Sequence, residues 1–262
     1  MLVIRHDQLV ALQGPAVSRF ETDMLAHLGR HYPLDKVLLG DDGMRAVIRA
    51  GRQKAMAAGF TTSDDIARFV TLCLVLGSGF TDDPLLPWAS RIVAQGAGTF
   101  GTGARLAEEA AVYLELTNGA DGRAALVAML RAVSLDFATA TAAATAADLG
   151  HDPDPDASLW QLLRHLWPRK HRRIQPAQRV AFLKTAKAAA AADGMDTAGS
   201  ARLHSILTFL LGADFSNDPA LPWARAALTA TAGAPARDRA RALYDSGVAA
   251  VARLKPLLPV VA

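Results

Sequence analysis

The sequence predicts an all-α fold made of two diverged copies of one multi-helix unit, about ten or eleven helices with no sheet. Three observations predict it. Hydrophobic residues fill 51% of the 262 positions while aromatics fill only 6%, so Ala and Leu carry much of the apolar content. Those two lose little on entering a helix, whereas strands draw on β-branched and aromatic side chains. Apolar residues recur at helical spacing, with no βαβ alternation anywhere in the chain. Finally, the chain matches itself: GFTTSDDIARFVTLCLVLGSGFTDDPLLPWA, from Gly59, aligns without a gap on GMDTAGSARLHSILTFLLGADFSNDPALPWA, from Gly194.

Trp88 and Trp223 stand 135 residues apart (223 minus 88), and the same offset pairs Gly59 with Gly194, Thr62 with Thr197, Gly77 with Gly212, Phe80 with Phe215, Asp83 with Asp218 and Pro87 with Pro222. It extends back to Pro33 and Pro168. Chance similarity of two Ala-rich helices would not hold the punctuation in register.

Each element then follows from local chemistry. A helix is expected over Asp42–Ala58, with a counterpart over Pro176–Asp193, and the left-handed turns of Gly59 and Gly194 end them. Thr62 opens the next helix, Ser63–Leu76, with Asp65 three residues on as in a weak capping box. Ile66, Phe69, Val70, Leu72, Cys73 and Leu76 make most of its surface apolar, which places it at the centre. Gly77 and Gly212 terminate the pair. Asp83 and Asp218 precede proline, the order of an N-cap and a first helical residue, with Pro87 and Trp88 in that turn. Past Gln95, the loop GAGTFGTG leads to helices over Ala104–Thr117 and from Asp121 to about Ala147. The tract FATATAAATAADLGHDPDPDAS reads as a helix fraying into a linker. The boundary falls near Gly150–Asp156, giving a first unit of residues 1–150 and a second of residues 151–262. The second opens with SLWQLLRHLWP and closes with a helix through Ala240–Leu254 and a short apolar tail.

Several function classes lose ground at once. A formal net charge of +3 does not by itself direct the chain to nucleic acid. No apolar run reaches the ~18–20 residues that cross a bilayer, and MLVIRHDQLVALQG lacks a signal-peptide core, so the expected location is the cytoplasm. The single cysteine, Cys73, lies in an apolar run and reads as a buried structural thiol. Gly96-Ala97-Gly98-Thr99-Phe100-Gly101 has the spacing of a dinucleotide loop, but a helix precedes it where that motif needs a strand. His27 and His31 share a helix face, yet no third ligand is implied, so no metal or cofactor is expected. Nothing resembles a nucleophile elbow or an ordered triad, and Asp64-Asp65 and Asp82-Asp83 fit helix starts. The expectation is therefore no enzymatic activity.

What remains are surfaces. Two Phe-x-x-Asp-Pro-x-x-Pro-Trp loops offer Phe80, Asp83, Trp88 and Phe215, Asp218, Trp223 as partner contacts. The basic run from Arg164 to Arg173 spans a helix end and a turn, where the helix dipole favours cations. Its Arg169, Lys170, Arg172 and Arg173 could steer an acidic protein partner; the alternative class is a nucleic-acid-binding regulator using the same turn.

The set Phe20-Glu21…His27-Leu28…Tyr32-Pro33, Gly59-Phe60-Thr61-Thr62, Asp65-Ile66-Ala67-Arg68-Phe69 and Phe80…Asp83-Pro84…Pro87-Trp88-Ala89 resembles a group of small all-helical bacterial proteins of unassigned function, associated with type VI secretion loci near spike and effector genes. The resemblance covers roughly residues 1–140 and implies a setting rather than a chemistry. In that setting the expected role is a protein-binding accessory of a secreted effector: an adaptor, a chaperone or an immunity-type partner. The second copy departs from the pattern, with Asp196, Ala198, Gly199 and His204 where the first has Thr61, Ser63, Asp64 and Phe69.

Overall fold

The computed structural model of the chain describes residues 6–96, 98–120, 122–142, 155–254 and 256. Most of the expected linker at 150–156, the first five residues and most of the apolar tail lie outside them. The described residues form thirteen α-helices and one 3-10 turn, without a strand. The first half contains α1 (His6–His31), α2 (Pro33–Ala57), α3 (Ser63–Leu76), α4 (Pro87–Gly96) and α5 (Thr102–Asn118). Two connecting helices follow, α6 (Arg123–Val133) and α7 (Phe137–Thr141). The second half contains α8 (Pro155–Leu166), α9 (Pro168–His171), α10 (Pro176–Ala192), α11 (Ala198–Leu211), the 3-10 turn Phe215–Asn217, α12 (Pro222–Ala230) and α13 (Ala236–Leu254).

The two halves share a helix plan at one offset. The bounds of α3 and α11 differ by 135 at both ends, and α4 and α12 both open on proline followed by tryptophan. α13 stands where α5 stands, one residue longer at each end after the shift. Pro33 and Pro168 both occupy the first helical turn, where a missing N–H costs nothing. The second half breaks between α9 and α10, and α2 kinks at the matching place, Gly40, with φ of 65°.

α2 is two helical pieces that meet at Gly40, whose backbone is non-helical, and the second piece covers the helix expected over Asp42–Ala58. Three expectations need correction. The long helix expected from Asp121 is two, α6 and α7, because Asp136 takes an extended conformation and its side chain caps the Thr139 N–H. Asp83 and Asp218 cap no helix. Each closes a short turn through the N–H two residues on, Leu85 and Ala220 at 2.8 Å, and the helices begin later at Pro87 and Pro222. The helix total exceeds the expected ten or eleven because α7 and α9 are single-turn pieces.

α3 is the central rod of the first half, held at its start by Thr62, whose Oγ1 accepts from the Asp65 N–H at 3.1 Å. The Asp65 carboxylate then does two jobs: one oxygen accepts from Thr62 Oγ1 and the other from the Gly103 N–H of α5. Any Cβ at Gly103 would stand 2.6 Å from that carboxylate, so the glycine-rich loop is what lets α5 close on α3. Phe60, Phe69 and Phe80 form a run of rings 5.3 and 4.9 Å apart through the first core. In the second half α11 takes the same position, capped by Thr197 and Ser200 in a reciprocal capping box. One of its two core clusters joins Leu163, Phe182 and Phe209 to Leu85 from the first half and Ala128 from α6.

Candidate functional site

The Asp-Pro loops meet each other. Asp218 accepts from the Ser78 N–H of the first half at 2.7 Å, and Asp83 accepts from the Ala213 N–H of the second. Ser78 and Ala213 are themselves a pair at the 135-residue offset, so the exchange is reciprocal. Gly77 and Gly212 lie back to back beside it. A Cβ on Gly77 would stand 2.8 Å from the Leu211 carbonyl, and one on Gly212 would stand 2.6 Å from the Leu76 carbonyl. Lys54 adds a half-exposed bridge, donating to the Ser78 carbonyl at 2.9 Å and to Asp214 at 3.1 Å.

This geometry decides where the sequence-predicted contacts sit. Phe80 and Phe215 are buried in the cores of the first and second halves, and Asp83 and Asp218 are buried in the junction. Trp88 and Trp223 are half-buried, Trp88 beside Tyr113 with ring centroids 6.2 Å apart. Arg169, Arg172 and Arg173 are exposed, but Lys170 turns inward. Its Nζ donates to the Phe209 carbonyl at 2.6 Å and lies over the Trp167 and Phe209 rings at 4.9 and 5.0 Å. Burial pushes this amine down to about 8, against the pull of the Asp83 carboxylate, which favours the charged form. Burial raises Asp83 and Asp218, while the N–H groups they accept oppose the rise. The Tyr113 hydroxyl is raised by burial and by the charge of Asp83. The junction is thus a polar seam held between the halves.

One constellation passed unnoticed in the sequence. His204 is buried, with Nε2 3.0 Å from Asp193 and Nδ1 3.3 Å from the Thr208 hydroxyl. Carboxylate, imidazole and hydroxyl in that order invite a nucleophilic reading. The hydroxyl, however, already donates to the His204 carbonyl at 2.9 Å and is buried, and His204 stacks on Phe215 at 4.8 Å. No substrate can reach that oxygen, so the trio fastens the end of α10 to α11. Its only signal was His204 standing where the first half has Phe69. His27 and His31 do approach each other, rings 4.5 Å apart, but no three metal-ligating side chains gather among the described residues. Cys73 is buried, and burial pushes its thiol up to about 12, away from reactivity.

The accessible concavity lies elsewhere. α1, α3 and α5 enclose a cleft of about 1030 Å³. Met24, Ala67, Leu72, Val75, Ala110 and Leu114 are among its apolar lining. Arg19, Asp23, His27, Arg30, Asp64 and Arg68 supply its polar lining. Arg68 is paired with Asp64, one helical turn away. Burial lowers His27, with the neighbouring His31 and Arg30 charges acting in the same direction. A sequence reading could not find this cleft, because its three walls come from helices far apart in the chain. No helix among the described residues is long and apolar enough to cross a membrane. No family model, no curated protein and no solved structure matches the chain.

Proposed function

We propose that this protein is a non-enzymatic protein-binding accessory, an adaptor, chaperone or immunity-type partner of a secreted bacterial effector, and that it receives its partner in the cleft among α1, α3 and α5. The observation that carries the reading is the cleft itself: large, apolar on its lining and rimmed by charges, the anatomy of a protein-binding groove. The buried polar groups add support from the other side. Asp83, Asp218, Lys170 and the Asp193–His204–Thr208 trio are all engaged in bonds that hold helices together, which leaves little for acid–base or nucleophilic work. The secretion setting rests on the resemblance of the first half to proteins associated with type VI loci, which brings the partner into focus as an effector or spike component.

Affinity capture from the native host with mass spectrometry, repeated at rising salt, tests the proposal. A stoichiometric secreted effector or spike component that stays bound in high salt is the expected result. Recovery of nucleic acid alone, lost steeply as salt rises, would instead favour a regulator that tracks phosphates with the exposed Arg169, Arg172 and Arg173. Arg172→Glu with Arg173→Glu should then abolish binding, whereas a partner in the cleft should be retained by that variant.

A further inference from the structure

The second half has the same three walls, α8, α11 and α13, but they are not left open. α6 and α7 lie against them. Ala128 is fully buried in a cluster with Leu159 and Leu163 of α8 and Ile206 of α11, and Ala125 and Ala132 pack beside it. That is one helix face at spacings of three and four. Arg131 donates to the His165 carbonyl at the end of α8, and Tyr244 of α13 donates to the Leu135 carbonyl. At the other end, a Cβ on Gly199 would stand 2.7 Å from the Thr141 carbonyl of α7. The chain therefore displays how a helix seats in this type of groove, and no described residue fills the matching groove of the first half.

The open groove differs from the closed one in two ways that define its occupant. Its floor is deeper: Thr71 and Val75 stand where α11 has Ile206 and Leu210, and Ala67 stands where α11 has Arg202. An alanine face like that of α6 would leave space above these residues, whereas leucine or methionine would fill it. Its rim is also more basic. Arg30 stands where the second half has His165, and Arg19 adds a second guanidinium. Neither guanidinium has a carboxylate partner among the described residues, Arg68 is taken by Asp64, and Asp23 is the remaining acid on the rim.

We infer that the cleft among α1, α3 and α5 takes an amphipathic protein helix with large aliphatic residues on its buried face and carboxylates on its flanks, seated as α6 is seated in the second half. This rests on the protein-binding reading above and adds the chemistry of the partner. Large side chains at positions i, i+3 and i+7 would replace the alanines of α6, and the flanking acids would meet Arg19 and Arg30.

Titration of the full chain with two synthetic peptides tests it. One carries the chain's own residues 122–142. The other is the same peptide with Ala125→Leu, Ala128→Leu, Ala132→Leu, Arg123→Glu and Arg131→Glu. The redesigned peptide should bind saturably at one site, about tenfold tighter than the native-sequence peptide, a modest gain for three leucines and two rim ion pairs. Ala111→Trp, placed at an exposed cleft position, should abolish that binding with helix content unchanged. Thr71→Ile with Val75→Leu, which gives the first floor the residues of the second, should weaken it as well. Arg19→Ala with Arg30→Ala should remove the part of the affinity that falls with salt. Absence of saturable binding, or equal binding by the Ala111→Trp protein, would overturn the inference. If a host effector is still captured in that case, the protein-binding reading stands and only the helix chemistry falls; if no protein is captured, the reading itself falls.

Discussion

Asp83 and Asp218 are the residues on which the junction turns. Each accepts one N–H from its own turn and one from the opposite half, in a place water does not reach. Removing either carboxylate strands two donors, so Asp83→Ala or Asp218→Ala should cost about 2–4 kcal/mol in urea unfolding. A loss under about 0.5 kcal/mol would show that the reciprocal bonds do not matter. Lys170 behaves differently. Its folded amine titrates at about 8, while an unfolded lysine titrates near 10.4. Between those values the unfolded chain holds the proton that the folded chain has released, so stability rises with pH across that window. Chemical unfolding at pH 8 and pH 10 should therefore show the wild type gaining on Lys170→Met, by an amount on the order of 3 kcal/mol at most. A gap that stays flat would mean that the amine is not buried as described. The Asp-Pro-Trp pattern was legible in the sequence, but not the direction each side chain takes. Spacing marks Asp83 as special without telling an inward bond from an outward contact, and it groups Lys170 with Arg169 and Arg172 although only Lys170 is buried.

At the scale of elements, helix ends were the most readable feature. Thr62, Thr197, Pro87 and Pro222 act locally, through backbone N–H groups within a turn, so their meaning survives without tertiary knowledge. Gly77 and Gly212 show the limit. Both end a helix, as their position suggested, but they are also pressed against the other half's backbone at φ of 92° and 98°. Gly212→Ala combines a forbidden backbone with a carbonyl clash and should cost about 3 kcal/mol or more. Gly122→Ala, also at positive φ but with open space around it, should cost only about 1 kcal/mol. Equal losses in thermal or urea unfolding would refute the close contact of the halves. The break between α6 and α7 was missed because Ala-rich and Thr-rich sequence supports a continuous helix until Asp136 offers its side chain to the backbone.

For the whole molecule, the halves unfold together if the junction is as tight as its bonds imply. Leu85 belongs to the second core and the Trp167 indole donates to the Thr117 carbonyl, so neither half has a complete interior alone. Tryptophan fluorescence and far-ultraviolet circular dichroism should give one coincident urea transition, and Trp88→Phe, which silences the first half's indole, should leave the midpoint coincident with the dichroism. Two separated transitions would mean independent halves. The shared helix plan could be read from the 135-residue offset, since it is written in punctuation. The difference between the halves could not, because it depends on which groove α6 and α7 cover. The halves therefore differ in that one groove is closed by the chain itself and the other is open. Thiol labelling at two equivalent floor positions, Thr71→Cys and Ile206→Cys in a Cys73→Ala background, tests it most directly. The cysteine at 71 should react at the rate of an accessible thiol, while the one at 206, buried beneath α6, should react only through opening of the fold. Comparable protection at both positions, or faster labelling at 206, would contradict it.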